Sequence, residues 1–198
     1  MTAPDPITRL QAALGGGAPS SDFDLNPEFR PKRDTLRAAA VLMPFIETQR
    51  GVELILTKRA SGLKHHPGQI AFPGGKVDEG DADAVAAALR EAHEEIALPP
   101  ANVEILGRMA SHETVTGFTI TPVLAFVRDW FDPIAEPGEV EEVFTVPFSH
   151  IANRDKYIIE SRYYRGVERR FYTVPWGPYY IWGATARMLR ALAEGLSS

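Results

Sequence analysis

The sequence contains no cysteine among its 198 residues. This absence excludes disulfide scaffolds, thiolate zinc sites and cysteine nucleophiles. Long apolar runs are also missing: the longest nearly unbroken one is Ala38–Ile46, well short of the roughly 20 residues that a helix needs to cross a bilayer. The N-terminus lacks the basic region and apolar core of a secretory signal. Together these absences predict a cytoplasmic globular protein that has no membrane partner.

Positive charge is in short supply, because 21 Lys and Arg stand against 26 Asp and Glu, giving a formal net charge of −5. Proteins that bind nucleic acid through bulk charge need the opposite balance, so no nucleic-acid partner is expected. What the sequence does have is apolar mass, at 44% of its residues. A chain of this length and composition can bury a sizeable core in one domain.

The pattern of apolar residues, glycines and prolines divides the chain into residues 1–33 and residues 34–198. The first part is predicted to be a peripheral N-terminal segment with a short helix, which Asp5 and Pro6 begin and Gly15–Gly17 ends. An apolar stripe would pack this helix on the body of the protein, and a disordered tail is the alternative. The second part is predicted to be a single domain.

Hydrophobic patterns place the regular elements of that domain. Strands are predicted over residues 38–46, 52–57, 103–109, 118–127 and 143–146, with a late hairpin of residues 157–164 and 169–174 turning at Arg165–Gly166, and helices over residues 83–96 and 184–193. Strands that surround a central helix, with a second helix at the end of the chain, indicate a mixed sheet covered by helices.

The central helix carries three glutamates on one side. At about 100° per residue, Glu91 and Glu95 differ by about 40° around the axis, and Glu94 lies within about 60° of Glu91. Like charges at this spacing destabilise an isolated helix by a few tenths of a kcal/mol. Two interpretations compete. One is a solvated acidic face eased by Arg90. The other is a divalent cation between the carboxylates, for which oxygen ligands favour Mg²⁺ or Mn²⁺ over zinc.

The segment before this helix favours the cation. Gly74–Gly75 ends some eight residues upstream of the helix, and residues without a Cβ let the backbone approach a ligand closely. The glycines followed by Arg90-Glu-Ala-His-Glu-Glu95 resemble the signature of the Nudix hydrolases. The resemblance implies an α+β protein, a Nudix-type α/β/α sandwich with a mixed β-sheet and the signature helix. Ala97 stands where the signature has glycine, a departure that removes no ligand.

The resemblance also implies the chemistry, which is hydrolysis of a diphosphate joined to another moiety. Mg²⁺ or Mn²⁺ would be held by Glu91, Glu94 and Glu95 and would neutralise the phosphoryl oxygens. Arg90 would orient a glutamate rather than touch substrate. By analogy Glu91 or Glu94 is the candidate general base, and a base from a distant loop is the alternative. The candidates there are Glu139, Glu141 and Glu142.

An upstream motif is similar to the coenzyme A diphosphatase branch of this family. Residues 54–60 lead through Lys64 and residues 68–71 into the Gly74–Gly75 loop. Fifteen steps separate Gly75 from Arg90 where the common signature has fourteen, and the same branch has this longer loop. The branch implies hydrolysis of coenzyme A (CoA) or its derivatives to 3′,5′-ADP and 4′-phosphopantetheine.

Substrate-binding residues are expected in the same stretch. Arg59 and Lys64 could pair with phosphate groups, and Gly74 and Gly75 would lie against the substrate. Three alternatives stay open: a Nudix pyrophosphatase acting on ADP-ribose or a dinucleoside polyphosphate, a Nudix-fold ligand-binding regulatory module without turnover, and a prenyl diphosphate isomerase, a chemistry that commonly recruits a cysteine. Dimers are common in the family, so a homodimer is a further expectation.

Overall fold

A computed structural model describes residues 5–15, 17–32, 35–64, 66–164 and 166–196. The helices are α1 (Pro6–Ala12), α2 (Ala84–Ile96), α3 (Phe148–Ala152) and α4 (Gly183–Gly195). The strands are β1 (Ser20–Ser21), β2 (Arg37–Thr48), β3 (Gly51–Arg59), β4 (Ile70–Ala71), β5 (Gly74–Lys76), β6 (Val103–Arg108), β7 (His112–Glu113), β8 (Phe118–Val127), β9 (Val140–Pro147), β10 (Ile158–Tyr164) and β11 (Val167–Thr173). Among these residues no helix is both long and apolar enough to cross a bilayer.

The strands β1 to β9 form one mixed sheet with β2 near its centre. The order of the main path is β1-β7-β8-β2-β3-β4, while β5, β6 and β9 pair with β2, β8 and β3 respectively. Strand β2 runs parallel to β8 and antiparallel to β3. Strands β10 and β11 form a separate antiparallel pair. The mixed sheet that the sequence predicts is therefore confirmed.

Both faces of this sheet are covered by helices. Alternate residues of β2 belong to two different buried clusters: Ala40, Leu42 and Ile46 pack with α2, whereas Val41, Met43 and Phe45 pack with α1 and α4. A strand buried on both faces reads as a continuous apolar run instead of an alternating one, which is the pattern of residues 38–46. The result is the α/β/α sandwich expected from the Nudix resemblance.

Helix α2 has well-defined ends. Oδ1 of Asp83 accepts hydrogen bonds from the backbone N–H groups of Val85 and Ala86, both at 2.9 Å, so Asp83 is the N-cap. At the other end, Ala97 adopts a left-handed conformation with φ of 57°. Glycine adopts that conformation without a steric penalty. Alanine at this position therefore keeps the helix end of the family signature at some cost in backbone strain.

The N-terminal residues contribute to the core. Oδ2 of Asp5 accepts a hydrogen bond from the N–H of Thr8, as expected of a cap, and helix α1 buries Leu10 completely. Strand β1 pairs in parallel with β7 and so extends the main sheet. Gly16, part of the predicted end of this helix, lies outside the described residues. The division of the chain at residues 33 and 34 stays a prediction.

Some elements differ from the sequence prediction. Strand β9 begins at Val140, three residues before the predicted start. The short strands β1, β4, β5 and β7 were not expected, because two or three residues carry too little periodicity to predict a strand. Helix α4 and the hairpin β10–β11 agree with prediction to within a few residues. Arg165, in the predicted hairpin turn, lies outside the described residues.

Candidate active site

The glycine loop lies directly against the central strand. Gly74 is paired with Val41 of β2, and Gly75 is paired with Ala40. Gly74 has a φ of 155°, and a Cβ on it would lie 2.5 Å from the carbonyl oxygen of Ala40. Since only glycine lacks a Cβ, this close approach requires glycine at position 74. The loop thereby brings its backbone to the edge of helix α2.

Glu95 is the buried member of the three helix glutamates, with 4% of its surface exposed. Its Oε2 accepts a hydrogen bond from the backbone N–H of Gly74 at 3.1 Å. Burial raises the pKa of Glu95 to about 7, although the Gly74 hydrogen bond and the charge of Arg59 act in the opposite direction. A carboxylate in this state binds a proton or a cation more readily than a solvated one does.

Glu91 lies over the second glycine. A Cβ on Gly75 would come within 2.5 Å of Oε1 of Glu91, so the absence of a side chain at position 75 leaves room for this carboxylate. Burial raises the pKa of Glu91, and the hydrogen bond from Arg90 partly offsets that rise. Both glycines of the loop therefore adjoin a helix glutamate. Gly74 donates its N–H to Glu95, and Gly75 leaves the volume of a missing side chain for the carboxylate of Glu91.

Arg90 connects the carboxylates to one another. Its Nε and Nη2 atoms donate to Oδ1 and Oδ2 of Asp81, both at 3.0 Å, in a bidentate pair. Its Nη1 donates to Glu91 at 3.1 Å and to Glu94 at 3.0 Å. The hydrogen bond from Arg90 lowers the pKa of Asp81, and the same bond raises the pKa of Arg90. Arg90 thus contacts two of the predicted glutamates, while Asp81 holds the guanidinium in place.

Asp81 is a residue of this site that the sequence analysis did not single out. The sequence contains the spacing Asp78-x-x-Asp81 before the helix, but the spacing does not show where the side chain goes. In the structure Oδ2 of Asp81 also accepts the backbone N–H of Asp78 at 2.8 Å, which closes the loop. That turn fixes the aspartate at the correct place to receive Arg90.

The donor set fits a divalent metal that prefers oxygen ligands. Glu91 and Glu95 supply two carboxylates beside the backbone of a glycine loop, Glu94 supplies a third on the same helix, and Glu95 is desolvated with one hydrogen bond to its Oε2. As they stand, no three Asp, Glu or His side chains in the described part of the chain converge on a single point. Nη1 of Arg90 lies instead between Glu91 and Glu94, and Glu94 keeps 57% of its side chain exposed.

The predicted phosphate-binding residues lie on the loop that follows β3. The backbones of Arg59 and Gly68 close this loop through a hydrogen bond of 3.1 Å, and the N–H of Arg59 donates to the carbonyl of Gln69 at 3.0 Å. Arg59 is close enough to Glu95 for its charge to lower the pKa of that glutamate. Lys64 is exposed on the same loop, and no ion pair among the described residues joins it to the carboxylates.

The three loop candidates for a general base have different surroundings. The charge of Glu139 raises the pKa of both Glu91 and Glu95, and its backbone lies near the end of α2, because its N–H donates to the carbonyl of Glu136, whose own N–H donates to the carbonyl of Glu95. Glu141 forms an ion pair with Lys58 at 2.6 Å, and Glu142 accepts a hydrogen bond from the hydroxyl of Tyr179 at 2.5 Å. Of the three, Glu139 is the one that borders the helix glutamates.

This fold and this helix define a Nudix protein, and comparison with known families agrees. The family model described as NUDIX domain matches residues 35–165, so the chain belongs to the Nudix family. It is 45% identical over 168 residues to a protein of Enterobacter sp. strain 638 named "Uncharacterized Nudix hydrolase NudL". The matched region covers 83% of this chain and 87% of that protein. The protein of the same name from Escherichia coli strain K12 is 40% identical over 170 residues, covering 85% and 88%.

Solved structures show the same fold. A Nudix hydrolase of M. smegmatis, RenU, matches with a TM-score of 0.51 and 24% identity over 62% of this chain and 77% of that chain. A MutT/nudix family protein from Enterococcus faecalis matches with a TM-score of 0.51 and 14% identity over 97% of this chain and 74% of that chain.

Family membership establishes the general activity. The chain is a Nudix diphosphatase, an enzyme. Nudix hydrolases generally use divalent ions such as Mg²⁺ or Mn²⁺, and the fold binds small nucleotide-diphosphate substrates. The roles of the individual site residues stay predictions, and the substrate is the subject of a proposal.

Proposed function

We propose that this enzyme hydrolyses the diphosphate bond of CoA or its derivatives, giving 3′,5′-ADP and 4′-phosphopantetheine or its acyl form. The observation that supports this most is that Thr57 and Lys58 of β3 pair with β4, which lies just before the Gly74 loop whose N–H donates to Glu95. It means that the upstream segment, which resembles the CoA diphosphatase branch, borders the same site as the helix glutamates. A substrate could therefore contact both at once.

The charge of the substrate gives the second support. CoA carries a 3′-phosphate in addition to its diphosphate, whereas Glu91, Glu94 and Glu95 form an acidic surface that repels anions. Arg59 ends strand β3, and Lys64 is exposed on the loop that follows it. Guanidinium and ammonium groups are the usual partners of phosphate, so these two residues are assigned to the phosphate groups of the substrate.

The reaction needs a cation among the carboxylates, and we assign Glu91, Glu94 and Glu95 to hold Mg²⁺ or Mn²⁺. When bound, such an ion neutralises phosphoryl charge and lowers the pKa of a bound water. Arg90, held by Asp81, fixes the positions of Glu91 and Glu94. The proton acceptor is assigned to Glu91, Glu94 or Glu139. Comparing kcat among three variants, each with glutamine at one of these positions, distinguishes among them.

The experiment is a product analysis with purified protein across CoA, acetyl-CoA, oxidised CoA, ADP-ribose and a dinucleoside polyphosphate, with and without Mg²⁺ and Mn²⁺. We expect CoA or one of its derivatives to give the highest kcat/KM and 3′,5′-ADP as a product. If CoA stays intact while ADP-ribose or a dinucleoside polyphosphate is cleaved, the substrate proposal is wrong and the Nudix assignment stands.

A variant sharpens this test. Arg59→Ala is expected to lower kcat/KM for CoA by at least about tenfold, since a charged hydrogen bond to phosphate is lost. The matched control is Arg128→Ala, which removes a half-exposed arginine directly after β8. Dephospho-CoA, which lacks the 3′-phosphate, separates the two phosphate sites: equal losses with both substrates would assign Arg59 to the diphosphate instead.

A further inference from the structure

The hairpin β10–β11 has one covered edge and one open edge. The outer edge of β11 is covered by Asn26, whose Nδ2 donates to the carbonyl of Arg170 and whose Oδ1 accepts the N–H of the same residue, both at 2.8 Å. This side chain reproduces the pairing of a neighbouring strand. In contrast, no described strand other than β11 pairs with β10. Its outer backbone groups face solvent.

The open edge carries exposed apolar side chains. Ile158 is 52% exposed, Ile159 is 51% exposed and Tyr163 is 79% exposed. Residues 158–164 contain no lysine and no proline, the residues that most often protect an edge strand from pairing. The edge is therefore suited to receive another strand.

The sequence of β10 is complementary to itself when it is reversed about Ser161. In an antiparallel pair centred on this residue, Glu160 stands opposite Arg162 of the second copy, and Ile159 stands opposite Tyr163. Opposite charges and apolar residues are thus matched, and both kinds of pair stabilise a sheet. Because the arrangement is two-fold, each of these pairs occurs twice.

Neighbouring registers are worse. The competing antiparallel registers move the two-fold axis by one residue, to Glu160 or to Arg162. Either register sets two like charges directly opposite each other, Glu160 against Glu160 or Arg162 against Arg162, which destabilises the pairing. The register centred on Ser161 is therefore the one that the sequence specifies.

We propose that a second copy of this chain docks along β10 in antiparallel orientation about Ser161, making a continuous sheet of β11, β10 and the same two strands of the other copy. Arg162 is exposed, and its guanidinium lies 5.4 to 5.8 Å from the centres of the Phe171, Tyr180 and Trp182 rings, so pairing across the axis requires it to turn away from them. Glu160 accepts a hydrogen bond from the hydroxyl of Tyr180 at 2.6 Å, which orients its carboxylate on the same face of the strand.

The absence of cysteine from the chain permits a clean test. In Ser161→Cys, two thiols would face each other at the two-fold axis, where antiparallel neighbours lie at Cα distances compatible with a disulfide. Mild oxidation is expected to cross-link this variant nearly completely. Ser149→Cys, an exposed serine on α3, is the matched control and is expected to stay uncross-linked under the same conditions.

Sedimentation velocity on the full-length protein supplies the second readout. The unmodified chain is expected to be a dimer, and Ile159→Lys is expected to raise the dissociation constant by at least about tenfold, because each substitution removes two symmetric contacts. Ile159 is exposed and remote from the helix glutamates, so kcat and the melting profile of this variant check that the protein remains folded. A monomeric unmodified chain, or a dimer that is insensitive to Ile159→Lys and does not cross-link through position 161, would overturn the proposal.

Discussion

Two clusters of polar side chains in this protein differ in whether their charges are balanced. The first is the buried histidine network of Ser20, Asp22 and His112. His112 is 0% exposed, its Nδ1 is 2.9 Å from Oγ of Ser20, and its Nε2 is 3.1 Å from Oδ1 of Asp22. The other oxygen of Asp22 accepts the N–H of Val115 at 2.8 Å. Both ring nitrogens of His112 thus have a partner inside the protein.

The second is the carboxylate cluster of Asp81, Glu91, Glu94 and Glu95 with Arg90. One guanidinium serves three of its carboxylates, while the fourth, Glu95, is buried against the Gly74 N–H. Here the negative charge exceeds the positive charge, and desolvation raises the pKa of Glu91 and Glu95.

The difference separates a structural cluster from a functional one. The serine, histidine and aspartate of the first cluster are residue types found in nucleophilic hydrolases, but Ser20 and His112 are buried, Asp22 is half-buried and all three are mutually satisfied, so they fasten β1 to β7. In the second cluster the carboxylates outnumber the guanidinium, so this cluster attracts a further cation. Balanced hydrogen bonding, and not residue type, tells which of the two can bind a ligand.

The largest effect is expected from Glu95→Gln, which keeps the size of the side chain and removes its charge. We expect kcat/KM with Mg²⁺ to fall by about 100- to 1000-fold, as for the loss of a group that stabilises transition-state charge. The control is Glu104→Gln, a half-exposed glutamate on β6. Unchanged turnover in Glu95→Gln would contradict the assignment of this residue to the metal.

The pH dependence of stability should be the next largest effect. Folded Glu95 holds its proton up to a pKa of about 7, against a usual value of 4.5, so the folded state binds more protons than the unfolded state between these values. Its contribution to the free energy of unfolding is therefore fully present below pH 4.5 and is lost as the pH rises toward 7, on the order of 3 kcal/mol. Urea denaturation without metal across this range measures it.

Glu95→Gln serves as the reference for that measurement, since glutamine does not titrate. The difference in unfolding free energy between the unmodified protein and the variant should change across this pH range in favour of the variant. A difference that stays constant with pH would contradict the burial of an acidic Glu95. Added Mg²⁺ should reverse the trend, because the ion binds the ionised form.

Gly75→Ala should have a smaller effect on catalysis. The new methyl group would lie 2.5 Å from the Glu91 carboxylate, which must then move away from the loop. We expect a loss of about 10- to 100-fold in kcat/KM, since a displaced catalytic group is costly. Gly80→Ala is the matched control, because a Cβ at Gly80 meets nothing within 4 Å. Equal activities in the two variants would rule out the close fit between Gly75 and Glu91.

The smallest effect on the reaction should come from the histidine network. Asp22→Ala leaves Nε2 of His112 without its carboxylate and is expected to cost about 1 kcal/mol of unfolding free energy. Because Asp22 belongs to the balanced cluster, kcat with Mg²⁺ should stay as it is in the unmodified protein. A drop in kcat without a change in stability would mean that this network takes part in catalysis.

The sequence predicts the parts of the site that depend on local pattern. Helix α2 and the shared face of Glu91, Glu94 and Glu95 follow from helical periodicity, and the need for Gly74 and Gly75 follows from their lack of a Cβ. These features involve neighbours along the chain, so a single sequence contains the information.

The remaining features depend on tertiary structure. The burial that raises the pKa of Glu95 arises where α2 packs on the sheet, and the bond of Asp81 to Arg90 depends on how the preceding loop closes. Asn26 and Arg170 are 144 positions apart, and no local pattern indicates that their side chain and backbone meet. The short strands β1 and β7 likewise form because the fold brings them together.

The most direct test of the central claim is the anomalous diffraction of crystals soaked in Mn²⁺. The surplus negative charge of the carboxylate cluster predicts a manganese peak in contact with carboxylate oxygens of Glu95 and of Glu91 or Glu94, and loss of that peak in Glu95→Gln. Manganese bound elsewhere, with these glutamates still paired to Arg90 and Gly74 alone, would contradict it.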